Sequence, residues 1–350
     1  MRILVYGAGN IGSLYAGLLQ DAGEDVSILA RGKRLADIRA HGIQLEEFGS
    51  GKRIATRVKV VERLEPEDAY DLVLVILPKN HVAEVLPILA ANRQTPSVMF
   101  FGNNAAGPAE IIEALGRKRV LLGFPGAAAV VHDNGIRYLI LSAGEQPTTI
   151  GELDGSKSRR ITAVANALRV AGFPVTISSN MDAWLKTHVA EISPTAAALY
   201  MAGGDACRLA STRDALVLML RAIREGYRIL DAHGTPITPK SHRIFQWLPE
   251  PLLLVLMRQM VVSDTTSIKI GHALGARNEI KAITDEFRAL AEGTSLSTPA
   301  MDRLYQQLDP TVEPVADGSA DLCVNWIGVW MLCGILVLAV LTWVVLQWAT

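Results

Sequence analysis

The sequence predicts an α/β protein: a parallel-sheet domain over residues 1–179, an all-helical domain over 180–310, a linker over 311–325 and an apolar C-terminal helix over 326–348. Three observations lead there. Short, wholly apolar runs alternate with helical periods through the first half, the strand signals stop near residue 180, and the chain ends in a long uncharged stretch. At 350 residues the chain exceeds one comfortable core, so a division into domains is the expected arrangement.

The first element is read from "RILVYGAGNIGSLYAGLL". An apolar strand runs into Gly7, Gly9 and Gly12 in GxGxxG spacing, and Leu14, Leu18 and Leu19 continue with a helical period. In a Rossmann-type fold the first glycine makes the tight turn, the second admits a pyrophosphate against bare backbone, and the third lets helix and strand pack closely. The helix N-terminus, including Asn10 and Ile11, then offers N–H groups to phosphate. Gly7, Gly9, Asn10, Ile11 and Gly12 are therefore predicted cofactor-binding residues.

"EDVSILARGKRLADI" supplies a second strand ending near Ala30 and Arg31. A carboxylate at this position holds the ribose 2′-OH of NAD, whereas an arginine suits the 2′-phosphate of NADP. Here Arg31, Lys33 and Arg34 precede the first carboxylate, Asp37, so NADP(H) is the predicted cofactor. The alternative is a solvated basic turn. "YDLVLVIL" (70–77), "SVMFFGN" (97–103) and "RVLLGF" (119–124) read as buried parallel strands, with Pro78, Lys79, Asn103 and Asn104 at the carboxyl ends where ligands sit. "IRYLILS" (136–142) and "TTIGELD" (148–154) read as further strands of antiparallel character, and "FPVTISS" (173–179) closes the domain.

Helical patterns follow over 182–202, 213–234, 249–261 and 278–293, the second stopped by Gly234 and "TPITP". From Ile327 to Leu346 no residue is charged, a length sufficient to span a bilayer core, with Trp326 and Trp330 at one end and Trp343 and Trp348 at the other. A transmembrane tail anchor is expected there, a buried interface helix being the alternative. The N-terminus leaves no room for a signal peptide, so the globular part is expected in the cytoplasm. Lys+Arg number 34 against 35 Asp+Glu, which excludes nucleic acid as the main partner. Cys207, Cys323 and Cys333 have neither zinc nor CxxC spacing, so no metal site is predicted.

"GAGNIGS", Arg31, "GNNAAG" (102–107), "AWLK" ending in Lys186, and "TTSIKIGHALGARNE" ending in Glu279 together resemble the ketopantoate reductase (2-dehydropantoate 2-reductase) family over about residues 1–310. The resemblance implies NADPH-dependent reduction of a small 2-oxo acid bound between two domains, with a homodimer as a possible assembly. It assigns Lys186 as the catalytic residue that holds the carbonyl oxygen and supplies its proton, and Glu279 as the group that binds the substrate hydroxyl. Ser267 would bind the carboxylate, and Asn103 would bridge nicotinamide and substrate. Lys79 stands next to Pro78, where the family has its cofactor-proximal lysine. An ammonium desolvated in a cleft would release its proton more easily.

Several family positions differ. Ala190 and Ser193 stand where the family has asparagines after the lysine, and Gly203 stands at a later asparagine. Missing polar contacts act on substrate discrimination before they act on carbonyl chemistry. His188 either replaces a lost amide or packs. Two other functions compete with the reductase: a membrane-tethered NADP(H)-binding regulator without turnover, and an opine- or 3-hydroxyacid-type dehydrogenase relying on histidine.

Overall fold

The structure is a computed structural model. It describes residues 1–348 except 263, 264, 266, 267 and 269–273, and leaves the side chains at 332, 340 and 344–348 outside the description. The chain forms two compact units, Met1–Val189 with Ser267–Thr294, and Ala190–Thr266 with Ser295–Thr350.

The strands described all lie in the first unit: β1 Arg2–Tyr6, β2 Asp25–Leu29, β3 Ile43–Glu47, β4 Arg53–Thr56, β5 Lys59–Val61, β6 Leu72–Val75, β7 Val98–Phe101, β8 Val120–Phe124, β9 Ala127–His132, β10 Gly135–Ile140, β11 Thr148–Glu152 and β12 Val175–Ile177. Its helices are α1 Asn10–Asp21, α2 Gly32–His41, α3 Val82–Ala91, α4 Ala109–Leu115, α5 Arg159–Val170 and the beginning of α6 Met181–Met201.

The main sheet runs β12-β11-β8-β7-β6-β1-β2-β5, and it is parallel except where β11 meets β8. Both of its faces are covered, which is why its strands read as continuous apolar runs: Ile3 and Val5 of β1 enter one core cluster and Leu4 and Tyr6 the other. Chain order runs outward from β1 to β2 on one side and from β6 through β8 on the other. The reversal between β1 and β6 is where open α/β sheets place a ligand crevice.

A second sheet, β4-β3-β10-β9, packs beside α1. Only β10 was expected from the sequence. β3 is "IQLEE", whose paired glutamates disguise a strand in which only Ile43 and Leu45 are buried.

The second unit is helical, as expected after residue 180. Besides the end of α6 it contains α7 Ala206–Ser211, α8 Arg213–Ala232, α9 Ile244–Trp247 and α10 Glu250–Val261. The first unit takes α11 Arg277–Glu292, and the second resumes with α12 Pro299–Tyr305 and α13 Ile327–Trp348. Buried Glu225 of α8 accepts the N–H groups of Ala300 and Met301, supplying the acceptors that the first turn of α12 lacks. Asp214 accepts from Asp321 and Leu322, and Glu250 from Asn325, so the stretch leading to α13 is fastened to α8 and α10.

The apolar tail is helical from Ile327 to Trp348. The span expected there is a different matter: among the described residues no helix is long and apolar enough to cross a membrane.

Candidate active site

The crevice begins where β1 ends. Gly7 has φ +125°, and a Cβ there would stand 2.2 Å from the carbonyl oxygen of Ile76 at the end of β6. A Cβ at Gly12 would stand 1.9 Å from the carbonyl oxygen of Gly7. Both glycines are therefore required by the protein's own backbone. Gly9 differs, because a Cβ there would meet nothing within 4 Å.

Gly9 is also the N-cap of α1, in extended conformation, with no side-chain cap and no acid in the first turn. The N-terminal N–H groups and the positive helix end are thus left to an external anion. Gly9, Asn10, Ile11 and Gly12 form one wall of a cavity of about 410 Å³ whose other walls include Asn103 and Glu279. An open position at Gly9 above an uncapped helix fits the pyrophosphate of a dinucleotide.

A second cavity, about 300 Å³, opens at the end of β2 between Tyr6, Gly7, Arg31 and Arg34. Arg34 is committed to the fold: its Nε donates to the carbonyl of Ala8 at 3.2 Å and its Nη2 to Ser13 Oγ at 2.9 Å. Burial lowers its pKa, opposed by Asp37. Arg31, exposed at the N-cap of α2, brings a second guanidinium to the same cavity, where sequence reasoning expected the cation.

The remaining predicted residues gather around the loop that follows β7. Asn103 Nδ2 donates to Glu279 Oε1 at 3.0 Å, joining residues 176 positions apart. Asn103 Oδ1 is buried without a hydrogen-bond partner. Lys186, on α6, has a side chain only 16% exposed, and its Nζ donates to Asp182 Oδ2 at 2.7 Å. It meets the same loop at Gly107, where an added Cβ would lie 3.6 Å from Nζ and 3.3 Å from Asp182 Oδ1. Gly107 has φ +83°, so the backbone here calls for glycine.

Lys79 forms an ion pair with Glu286 at 3.2 Å, and Glu286 also accepts the N–H groups of Ala105 and Ala106. Asn103 and Glu279 thus come together directly. Lys186 shares their loop without lining the larger cavity, and Ser267 lies outside the described residues. His188 stacks on Trp184 with ring centroids 5.3 Å apart and planes 9° from parallel, and it also lies against Phe124 at 4.2 Å.

Sequence reasoning missed Asp182 and Glu286. Asp182 had a usable signal, since an acid four residues before a lysine on a helix forms an ion pair. Glu286 had a weaker one: it follows Glu279 by two turns and so shares its face, but its backbone partners leave no mark in the sequence.

Residues 3–155 match the family described as Ketopantoate reductase PanE/ApbA. The chain is 33% identical to a 2-dehydropantoate 2-reductase of Archaeoglobus fulgidus over 214 residues, 59% of this chain and 67% of the relative. Its fold is similar to that of a 2-dehydropantoate 2-reductase from Geobacter metallireducens GS-15, with TM-score 0.71 and 19% identity over 89% of this chain and all of the other. It is similar as well to D-mandelate dehydrogenase, solved with NADH and anilino(oxo)acetate, with TM-score 0.70 and 17% identity over 88% of this chain and 97% of the other. The glycine loop, the Asn103–Glu279 pair and Lys186 therefore stand on a recognised scaffold, and the chain belongs to the ketopantoate reductase family.

Proposed function

We propose that the chain reduces a small 2-oxo acid, ketopantoate or a related carbonyl compound, with NADPH as the hydride source. The observation that carries this reading is the loop after β7. One short backbone segment engages Glu279 through Asn103 and abuts Lys186 at Gly107, beside the open glycine turn.

A reduced nicotinamide supplies the hydride; the rest of the chemistry falls to side chains. Lys186 holds a proton at Nζ and passes it to the carbonyl oxygen as negative charge develops there. Asp182 accepts a hydrogen bond from the same Nζ, limiting the directions the ammonium can take. Glu279 accepts a hydrogen bond from the substrate hydroxyl, Asn103 bridges nicotinamide and substrate with its unpaired Oδ1 open to an N–H or O–H donor, and Ser267 takes the carboxylate. Uncapped N–H groups at Asn10 and Ile11 take the pyrophosphate.

NADPH is preferred to NADH in this reading because β2 ends beside two guanidinium groups, with no carboxylate before Asp37. Ala190 and Ser193, where the family has amides, leave the identity of the oxo acid more open than the reaction type. A spectrophotometric assay of NADPH oxidation with a panel of small 2-oxo acids tests the reading, and absence of turnover with all of them would favour a binding protein instead.

The tail belongs to the same proposal as a membrane tether. Its support is the uncharged sequence from Ile327 to Leu346 together with exposed Trp330, Leu336 and Leu338. Recovery of the full-length chain from membranes only with detergent is the expected result. Recovery without detergent would remove the tether.

A further inference from the structure

Glu286 is used by none of the steps above, yet it makes three polar contacts with the loop after β7 and with Lys79. Its Oε2 accepts the N–H of Ala105 at 3.1 Å and of Ala106 at 3.2 Å, and its Oε1 stands 3.2 Å from Lys79 Nζ. The lysine side chain is 10% exposed and the glutamate 23%, so this is no loose surface pair of the kind that contributes little. A single carboxylate satisfies two consecutive backbone donors and a largely desolvated ammonium.

Helix geometry explains why this residue reaches the loop. Glu279 and Glu286 are seven residues, about two turns, apart on α11 and project from one face. The first grips Asn103 and the second grips the two residues after Asn104. Between them they hold Asn103 and the amides of Ala105 and Ala106 in a loop whose residues 103–107 belong to no strand or helix among the described residues. Asn103 precedes the clamped pair and Gly107, which abuts Lys186, follows it. Lys79, Asn103 and Asn104 are the polar residues lining one small cavity, and the clamp holds the first directly and the segment that follows the other two.

We propose that Glu286 is a positioning residue: through the amides of Ala105 and Ala106 and the ammonium of Lys79, it sets where Asn103, Lys79 and Gly107 stand relative to bound dinucleotide and substrate. The activity part of this inference rests on the reductase reading. The structural part does not.

The two roles of the carboxylate can be separated by substitution. Glu286→Gln keeps an oxygen able to accept both N–H groups but removes the charge facing Lys79. Glu286→Ala removes both, leaving two orphaned donors and a buried unpaired ammonium. In the full-length chain, amide hydrogen exchange at residues 103–107 is expected to quicken on the order of tenfold or more in Glu286→Ala and to stay near wild type in Glu286→Gln. The dissociation constant for NADPH should rise in Glu286→Gln, and this rise should nearly vanish in a Lys79→Met background, because the charge acts through the lysine.

With substrate, Glu286→Ala should lower kcat/KM on the order of a hundredfold, the scale of an ångström-level misplacement. Unchanged exchange at Ala105 and Ala106 in Glu286→Ala would overturn the clamp. An equal effect of Glu286→Gln on NADPH binding with and without Lys79 would overturn the coupling. If Glu286→Ala does not fold, the binding cycle built on Glu286→Gln still decides. If the wild-type chain binds NADPH but reduces no 2-oxo acid, the functional reading fails while exchange and binding still judge Glu286.

Discussion

Gly9 and Gly12 lie three residues apart, and a methyl group would have opposite consequences at the two. At Gly12 it would meet the carbonyl oxygen of Gly7 at 1.9 Å, and at Gly9 it would meet no protein atom within 4 Å. Gly12→Ala is therefore expected to lower thermal stability by about 1–3 kcal/mol, the usual scale of overpacking. Gly9→Ala should leave the melting temperature unchanged and weaken dinucleotide binding, because its methyl occupies the space left for pyrophosphate. Thermal denaturation and NADPH titration of the two variants check this contrast, and equal loss of stability in both would refute it. Lys186 shows the other side of residue-scale reading. Its sequence neighbours marked it as a candidate, but its partner Asp182 and its seat against Gly107 required the fold.

At the scale of elements, the proposed preference for NADPH rests on β2 and the start of α2. Arg34 is spent on the carbonyl of Ala8 and the hydroxyl of Ser13, so in that proposal Arg31 is the residue that would meet a 2′-phosphate. Arg31→Glu should weaken NADPH by at least tenfold while sparing or improving NADH, as a charge reversal at a phosphate contact would. Loss of both cofactors in parallel would instead assign Arg31 to folding.

The sheet and its turn were legible because their signals are local: apolar runs, glycine spacing and a basic strand end all lie within a few residues. β3 was not, since "IQLEE" buries only alternate residues and offers glutamate on the other face. α11 was legible as a helix, and Glu279 as a candidate through the family resemblance. Its docking on the loop after β7 is a contact across 176 residues, which no local pattern encodes. The aromatic stack of Phe124, Trp184 and His188 shows the same limit, because the spacing of Trp184 and His188 was visible while Phe124 arrives from a distant strand.

Across the whole molecule, stability and chemistry can be probed separately because the second unit holds a titrating cluster of its own. Glu191 accepts a hydrogen bond from buried Tyr227 and lies 2.7 Å from His242 Nδ1. Burial works to lower the pKa of His242, but the hydrogen bond and the charge of Glu191 outweigh it and raise the imidazole above its ordinary range. A raised folded-state pKa gives stability that is complete below the unfolded value, about 6.5, and is lost as pH rises through the folded value. The melting temperature should therefore decline from about pH 6.5 upward by more in the wild type than in His242→Gln. Identical pH profiles would remove the cluster from the stability account.

The central claim concerns Lys186, and NADPH oxidation by the purified full-length chain and by Lys186→Ala across a panel of small 2-oxo acids tests it most directly. The account predicts turnover of at least one such acid by the wild type. It also predicts a fall in kcat of roughly 10²–10⁴ in the variant, the range supplied by a positioned general acid, with NADPH still bound. Full activity in Lys186→Ala would contradict it.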